Sequence, residues 1–279
     1  MTQQTTPDIS LEGLTIGYGE TVVVRGIDAV LPGGKISVIL GGSGCGKSTL
    51  LKHILRLHPA LAGRIVIGGH DMAKLDRRGM HCLRQRMGVL FQDGALLGSL
   101  TLGDNVALPL REHTRLSEKD VRERVLAKLG LVGLADFHDY FPNELSGGMR
   151  KRAGLARAMV MDPPLLFCDE PTSGLDPVTA AELDQLLLEL KRRSDMTLVV
   201  VSHDLDSMRT IADHVLVLGD GRVLFQGGLA ELEATQDEYL RRFLDRQALA
   251  RTTPRLTMPP LDFKLMKRDC SGYLDEQQS

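Results

Sequence analysis

Several features that would each point to a particular class of protein are missing from this sequence of 279 residues. Lys and Arg nearly balance Asp and Glu, and the formal net charge is −2. Proteins that bind phosphate backbones usually carry a basic excess, so nucleic acid is not an expected partner. No stretch approaches the roughly 20 apolar residues that cross a bilayer. Residues 1–6 have neither a basic start nor an apolar core, so we expect no export signal.

Cysteine is scarce, and its positions carry information. Cys45, Cys82, Cys168 and Cys270 are scattered without CxxC spacing. This spacing argues against a metal site or a disulfide framework and favours a reducing cytoplasm. The rest of the composition, 43% hydrophobic and 25% charged, is that of an ordinary globular protein.

Short apolar runs between turn residues predict a strand-rich chain. The predicted strands cover residues 9–16, 21–25, 27–31, 35–40, 64–67, 87–91, 165–168, 197–201 and 215–218. The run 35–40 is almost continuously apolar, as in a strand that is buried on both faces. The dipeptide Asp220-Gly221 predicts a hairpin turn after the last of these strands.

Helical spacing predicts the remaining elements. A helix is expected over 47–57, and Ser117 is a plausible N-cap for a helix through residue 129. Four leucines, spaced at i, i+3, i+4 and i+7, predict an amphipathic helix; they are Leu183, Leu186, Leu187 and Leu190. The stretch 101–161 is helical in pattern and interrupts the strands, so the chain is expected to be α/β, with a βα core and a helical insertion.

Residues 41–48 read GGSGCGKS and match the pattern G-x-x-x-x-G-K-[ST]. The candidate phosphate-binding residues are Gly41, Gly42, Ser43, Gly44, Cys45, Gly46, Lys47, Ser48 and the following Thr49. Small residues let successive N–H groups point at a phosphate chain, and the helix that follows adds the positive end of its dipole. A flexible glycine-rich turn is the alternative. The position between a buried strand and an amphipathic helix favours the phosphate site.

Two carboxylates, Asp169 and Glu170, follow the apolar run 165–168. At the carboxyl end of a parallel strand such groups face the ligand crevice. Asp169 is expected to hold Mg²⁺ through a water, with Ser48 as a direct ligand, and Glu170 to act as general base. A strand that merely ends in solvent is the alternative, and the phosphate-binding loop upstream argues against it.

With these two motifs and the stretch 145–149, which reads LSGGM, the chain resembles the ABC ATPase family. In that family the serine and glycines of this signature, here Ser146, Gly147 and Gly148, meet a γ-phosphate. Met149 departs from the usual Gln, which puts one auxiliary polar contact in doubt. The resemblance covers nearly all of the first 245 residues and implies a P-loop NTPase of the ABC type, with a RecA-like core and an N-terminal antiparallel β subdomain.

The same resemblance assigns further residues in chain order. Tyr18 matches the aromatic residue that stacks on adenine, and Gln92 matches the Q-loop, which senses Mg²⁺. Asp176 matches the D-loop, and His203 matches the switch histidine that stabilises charge on the γ-phosphate. Each of these matches is weak alone. A single histidine after a strand, for example, is more often a structural cap.

The family resemblance also implies ATP and Mg²⁺ as cofactors and a head-to-tail homodimer, since a signature cannot reach the P-loop of its own chain. Each nucleotide would lie between one P-loop and the partner's signature. We expect an ATPase domain over 1–245, with a helical signature subdomain at about 95–161. The tail 246–279 is expected to dock on a partner subunit, because it is too apolar for a free linker.

Three function classes compete. A chromosome or DNA-repair ATPase usually splits its motifs with a long coiled coil, but the stretch between Lys47 and Asp169 holds no sustained heptads. A translation factor of the ABC type carries two cassettes, and here each motif occurs once. The expected function is therefore that of a transport motor that works with a polytopic permease on the cytoplasmic face of the inner membrane.

Residues 105–114, together with Met149, resemble the ATPases of MCE-type phospholipid transporters. This resemblance implies phospholipid transport between the inner and outer membranes and an MCE-type lipid-binding partner; another solute is the alternative. Leu96, Leu97 and Leu100 are apolar residues in a segment expected at the surface. They mark a candidate permease site, with local packing as the alternative. Cys45 could act as a redox switch or simply fill the loop.

Overall fold

The computed structural model describes residues 6–245 and arranges their strands in two sheets. The strands are β1 Ile9–Tyr18, β2 Thr21–Leu31, β3 Ile36–Gly41, β4 Ala62–Ile67, β5 His70–Asp71, β6 Met87–Leu90, β7 Leu165–Asp169, β8 Thr197–Ser202, β9 His214–Gly219 and β10 Arg222–Gly228. A four-stranded antiparallel sheet has the order β2-β1-β4-β5, and a six-stranded sheet has the order β10-β9-β3-β8-β7-β6. The α/β fold predicted from the sequence is confirmed.

The helices fall into a set around the six-stranded sheet and a set inserted between β6 and β7. They are α1 Lys47–Ile54, α2 Arg77–Arg84, α3 Leu102–His113, α4 Glu118–Leu131, α5 Gly147–Met159, α6 Pro177–Arg193, α7 Leu205–Ile211, α8 Leu229–Glu233 and α9 Glu238–Leu244. Three of them, α3, α4 and α5, pack on one another and form the insertion. None of the helices in the described part of the chain combines the length and the apolarity that crossing a bilayer requires.

The central strands of the six-stranded sheet, β3, β7, β8 and β9, are buried on both faces because most of their side chains are apolar. In β3, Ile36, Val38 and Leu40 pack in one cluster with the insertion and with α6 and α7. Ile39, on the opposite face, packs in a second cluster with α1 and the antiparallel sheet. The continuous apolar run 35–40 is thus explained by two cores that share one sheet.

Two glycine positions show how the chain turns. The predicted strands 21–25 and 27–31 form one strand, β2, in which Gly26 has a φ of +58°. Glycine adopts this conformation without steric cost, so the strand bends there and continues. Asp220 and Gly221, with φ of 49° and 70°, form the predicted two-residue hairpin between β9 and β10.

Some predicted boundaries were wrong. The first helix ends at Ile54 rather than at residue 57. The predicted strand 64–67 begins two residues earlier, as β4, and the predicted strand 87–91 ends one residue earlier, as β6; the two strands belong to different sheets. The tail 246–279, for which docking on a partner was expected, lies outside the described residues.

Candidate active site

Three neighbouring parallel strands bring the candidate catalytic residues to one edge of the six-stranded sheet. β8 lies between β3 and β7 and pairs in parallel with both. β3 leads into the P-loop at Gly41, β7 ends at Asp169, and β8 ends at Ser202, next to His203. Because the carboxyl ends of parallel strands meet at the same edge, residues far apart in sequence become neighbours.

The P-loop curls tightly between β3 and α1. Gly44 and Gly46 have φ of 79° and 106°, which favours glycine. A Cβ on Gly46 would also lie 2.7 Å from the side chain of Val24. Gly46 caps α1 without a side-chain hydrogen bond, so the first N–H groups of α1 have no side-chain acceptor there. These donors and the exposed Gly42, Ser43 and Gly44 form an anion-binding concavity.

Cys45 fills space inside the loop. A Cβ placed on Gly41 would lie 2.5 Å from the Cys45 Sγ, so the thiol packs directly against this glycine. Burial raises the pKa of the Cys45 thiol and outweighs the opposite effect of Lys47. A protonated thiol reacts slowly with oxidants, which favours the filler interpretation over a redox switch.

Lys47 is buried and points along the loop toward the carboxylates. Its Nζ donates to the carbonyl oxygens of Gly41 and Gly42 at 2.8 and 3.1 Å. The same atom lies 3.9 Å from Glu170 Oε1, and both side chains are largely buried. The cation is therefore held between the loop backbone and the carboxylate at the end of β7.

Ser48 and Asp169 bring two oxygen atoms together. Ser48 Oγ donates to Asp169 Oδ1 at 3.2 Å. Burial raises the pKa of Asp169 and the charge of Glu170 adds to this effect, while the Ser48 hydrogen bond, Lys52 and Lys47 lower it. A cation bound here would offset the desolvation of Asp169, and hydroxyl and carboxylate oxygens are suitable ligands for Mg²⁺.

Glu170 is oriented by both its backbone and its side chain. Its φ is 49°, which is uncommon for a residue other than glycine. Its Oε2 lies 2.7 Å from Nδ1 of His203, and its backbone N–H donates to Val201 at 2.8 Å. The carboxylate is 12% exposed, whereas the His203 side chain is 63% exposed. Glu170 thus lies between Lys47 and a histidine that solvent can reach.

Tyr18 is the last residue of β1, and its ring is exposed to solvent. Its centroid lies 5.0 Å from that of His58 in an edge-to-face arrangement and 6.2 Å from that of His53. The ring is 42% exposed, so it can accept a stacked base. Neither histidine was noticed in the sequence, because each lies in an otherwise unremarkable stretch.

Gln92 lies in the exposed loop after β6, and its side chain makes no hydrogen bond to any other described residue. The loop itself is fixed from α5: Arg157 donates to the carbonyl oxygens of Gly94 and Ala95 at 2.9 and 2.7 Å. Burial lowers the pKa of Arg157. The Q-loop is therefore anchored to the signature helix, while Gln92 remains free to turn.

The signature forms the N-terminus of α5. Ser146 is the N-cap, and its Oγ accepts from the N–H of Met149 at 3.2 Å. Ser146 and Gly147 are exposed, whereas a Cβ on Gly148 would lie 2.7 Å from the side chain of Thr179. Met149 is half-buried and packs on the apolar core. The methionine thus has a packing role that the usual glutamine would not fill.

Asp176 is the N-cap of α6. Its carboxylate accepts from the backbone N–H groups of Val178 and Thr179 and from the Thr179 hydroxyl at 3.1, 3.0 and 2.6 Å. These bonds lower the pKa of Asp176, and the bond from the Thr179 hydroxyl has the largest effect. The residue is exposed, so its role within the chain is to start a helix while its outer side faces solvent.

The structure therefore groups some predicted site residues and leaves others apart. Five of them form one group: Lys47 and His203 contact the Glu170 carboxylate, Ser48 donates to Asp169, and Asp169 precedes Glu170 in the chain. Gly41 and Gly42 join this group through the hydrogen bonds that Lys47 donates to their carbonyl oxygens. Within residues 6–245, no hydrogen bond or ion pair joins six other predicted residues to the group; they are Tyr18, Gln92, Ser146, Gly147, Gly148 and Asp176. One residue that the sequence analysis missed does reach the group: Lys151 of α5, which looks like an ordinary surface lysine on a helix.

Comparison with curated proteins reveals relatives over most of the chain. Residues 24–173 match the ABC transporter family model. The chain is 43% identical over 237 residues to the probable ribonucleotide transport ATP-binding protein mkl of Mycobacterium tuberculosis; the alignment covers 85% of this chain and 66% of that protein. It is 39% identical over 237 residues to the intermembrane phospholipid transport system ATP-binding protein MlaF of Escherichia coli, with 85% of this chain and 88% of that protein covered.

Solved structures with the same fold are also ABC cassettes. The dimeric, post-hydrolysis state of the ATP-binding cassette MJ0796, bound to ADP and phosphate, has a TM-score of 0.72 and 32% identity and covers 79% of this chain and 98% of that one. The CbiO1 protein of Clostridium perfringens, part of the ABC transporter complex CbiONQ, has a TM-score of 0.75 and 31% identity and covers 85% of this chain and 94% of that one. The chain therefore belongs to the ABC transporter family and has the ABC-type ATPase fold.

Proposed function

We propose that Lys47, Glu170 and His203 carry out ATP hydrolysis at the edge of the six-stranded sheet. The observation that supports this most directly is the position of the Glu170 carboxylate, 3.9 Å from Lys47 Nζ and 2.7 Å from His203 Nδ1. A carboxylate that lies between an ammonium group and an imidazole ring, beside an anion-binding loop, is suited to activate water next to a phosphate.

Each residue has a distinct task in this proposal. Glu170 accepts the proton of the water that attacks the γ-phosphorus. His203 Nδ1 holds the Glu170 carboxylate in one orientation, and in the imidazolium form Nε2–H donates toward the γ-phosphate as negative charge develops there. Lys47 leaves the carbonyl oxygens of Gly41 and Gly42 and pairs with the β- and γ-phosphates, which present stronger acceptors.

The remaining contacts to ATP and Mg²⁺ follow from the site. The N–H groups of the loop 41–49 surround the phosphates, and the exposed ring of Tyr18 stacks on adenine. Ser48 and Asp169 would hold Mg²⁺, and the Gln92 side chain would join them by turning toward the site. A Mg²⁺ ion held by these residues would neutralise charge on the phosphates.

A second subunit completes the site in this proposal. The α5 N-terminus carries two exposed signature residues, Ser146 and Gly147, and its free N–H groups can bind a γ-phosphate of a partner. The exposed outer side of Asp176 lies at the start of α6, which packs on α5. The relative MJ0796 is described as dimeric, which supports a homodimer here.

A permease is proposed to dock on the groove between α2, α3 and α5. This groove has a volume of about 360 Å³. Its lining includes His81, Arg84, Phe91, Pro109, His113 and Arg157. Phe91 is 39% exposed and supplies an apolar contact, while the basic side chains favour an acidic residue on the partner.

In the segment 96–100, which precedes α3, hydrogen bonds with Asn105 hold the exposed Leu97 in a fixed position. The buried Asn105 side chain accepts from the N–H of Leu97 at 2.7 Å and donates to the carbonyl oxygens of Leu97 and Leu100 at 3.0 and 3.1 Å. Leu97 is 47% exposed, whereas Leu96 and Leu100 are half-buried and Leu96 packs on the core. Of the three leucines, Leu97 therefore fits the partner contact best.

Phospholipid is the transported substrate that we favour, between the inner and outer membranes. Support comes from MlaF, which this chain matches over 88% of its length. The subunit would then lie on the cytoplasmic face of the inner membrane, bound to a polytopic permease and an MCE-type lipid-binding protein. The relative mkl, described as a probable ribonucleotide transport protein, supports ribonucleotides as the second candidate substrate.

Lys47→Ala should weaken ATP binding itself, since the substitution removes the cation that pairs with the phosphates. We expect the dissociation constant for ATP to rise about tenfold or more, in line with the loss of a charge-assisted contact. Titration with a fluorescent ATP analogue measures this effect. Lys74→Ala, at an exposed lysine that pairs with Asp71, is the matched control and should bind normally. Unchanged binding by Lys47→Ala would refute its role.

Glu170→Gln should bind ATP yet hydrolyse it roughly 10²- to 10⁴-fold more slowly, the usual effect of losing a general base. A steady-state phosphate-release assay, run beside the ATP titration, separates the two properties. Glu189→Gln is the control, because Glu189 pairs with Arg193 on the outer face of α6. Turnover by Glu170→Gln at the rate of the control would exclude Glu170 as the base.

A strain lacking this gene should accumulate phospholipid in the outer leaflet of the outer membrane and become sensitive to detergent. Chemical labelling of surface phospholipid measures the first effect directly. Reintroduction of the wild-type gene should reverse both effects, and the Glu170→Gln gene should reverse neither. If the strain kept normal lipid asymmetry but lost ribonucleotide uptake, ribonucleotides would be the substrate and the lipid proposal would be wrong.

A further inference from the structure

Lys151 is a buried cation in α5, one turn beyond the signature glycines. It is 6% exposed. Its Nζ donates to the carbonyl oxygen of Glu170 at 3.1 Å, to the carbonyl oxygen of Ser173 and to Ser173 Oγ at 3.2 Å. An ammonium group has three N–H donors, so every donor has an acceptor in this position. Such complete satisfaction fixes the side chain in one place.

The acceptors of Lys151 belong to the catalytic end of β7 and to the turn that follows. The Glu170 carbonyl also accepts from the N–H of Ser173 at 3.2 Å, and the Glu170 N–H is held by Val201. The backbone of Glu170 has a positive φ, which persists only where neighbouring groups hold it. Lys151 is therefore one of the groups that set the direction in which the Glu170 carboxylate points.

The charges around Lys151 come from two elements that serve the nucleotide. Burial lowers the pKa of Lys151, and the carboxylates of Asp93 and Glu170 oppose this effect. Asp93 follows Gln92 in the loop after β6. The ammonium thus lies among the signature helix, the Q-loop and the end of β7. A side chain without donors would remove the hydrogen bonds to the partly buried Ser173 carbonyl and Oγ and would leave the Glu170 carbonyl with the Ser173 N–H as its donor.

We propose that Lys151 is a positioning residue that couples the two ATP sites of the dimer. The inference rests on the head-to-tail arrangement proposed above. There, α5 binds the partner's nucleotide through its N-terminus, while Lys151 on the same helix holds the catalytic carboxylate of its own subunit. Binding of ATP by one site then orients Glu170 in the other, so hydrolysis depends cooperatively on ATP concentration.

Lys151→Met tests this coupling, because methionine keeps most of the volume and removes all three donors. We expect kcat to fall roughly tenfold, the scale of losing hydrogen bonds from a charged group. ATP binding to the isolated subunit should be unchanged, and the Hill coefficient for hydrolysis should fall from above one to about one. Lys151→Gln, which keeps two donors without the charge, should give an intermediate kcat. Lys128→Met, at the lysine that pairs with Asp162 on the insertion surface, is the control and should behave as wild type.

Three results would overturn the coupling. The first is cooperative hydrolysis at the wild-type rate in both Lys151 variants. The second is that both variants lose ATP binding and thermal stability equally, with no separate effect on kcat. The third is a Hill coefficient of one for the wild-type protein itself. The Glu170→Gln variant distinguishes this failure from failure of the proposed function. If that variant is inactive while the Lys151 variants behave normally, only the coupling is wrong.

Discussion

The parallel pairing of three strands is the constraint on which the site depends. β3, β8 and β7 lie side by side, although the chain visits them in a different order. Asp169 pairs with Val201, and Leu40 pairs with Ser202, so the P-loop, the carboxylates and His203 emerge at the same level. A slip of one residue would move every side chain of a strand from one apolar core to the other, where its size and shape do not match the packed neighbours. Because both faces of the sheet are buried, the two cores fix the register and the register fixes the site.

Placing a catalytic carboxylate at a buried edge has an electrostatic cost, which the surrounding cations offset. Asp169 and Glu170 are adjacent and largely buried, and the charge of Glu170 adds to the effect of burial in raising the pKa of Asp169. Lys47 lies next to the Glu170 carboxylate, and Lys151 donates to the Glu170 carbonyl oxygen. The site therefore holds its charges in place before substrate binds, which is the arrangement that electrostatic stabilisation of a transition state needs.

Local sequence patterns predicted most of the strands, helices and site residues. The features that they did not predict depend on contacts between residues far apart in the chain. The P-loop was identifiable because its glycines, Lys47 and Ser48 lie within one short segment. The sheet to which β4 and β6 belong was not predictable, because alternation of apolar residues does not identify the neighbour of a strand. Lys151 was missed for the same reason, since its acceptors on Glu170 and Ser173 lie far along the chain and a lysine on a helix usually faces solvent.

The signature residues 145–149 also show what a sequence pattern does not predict. Its sequence identified the residues, but only the structure distinguishes the two glycines. Gly148 is buried against Thr179 and has no room for a side chain. Gly147 has open space around it, with the nearest side-chain atom 3.9 Å from a Cβ placed there, on Leu175. A substitution at Gly147 can therefore alter what the signature binds without disturbing how α5 packs.

This difference allows the central claim, that the signature of one subunit binds the nucleotide of the other, to be tested directly. The measurement is the sedimentation mass, with ATP, of the Glu170→Gln chain with and without Gly147→Asp. An aspartate at the start of α5 suits the helix dipole but repels a γ-phosphate. The account predicts that both chains bind ATP equally, that Glu170→Gln sediments as a dimer and that the double variant remains a monomer. An ATP-dependent dimer of the double variant would contradict it.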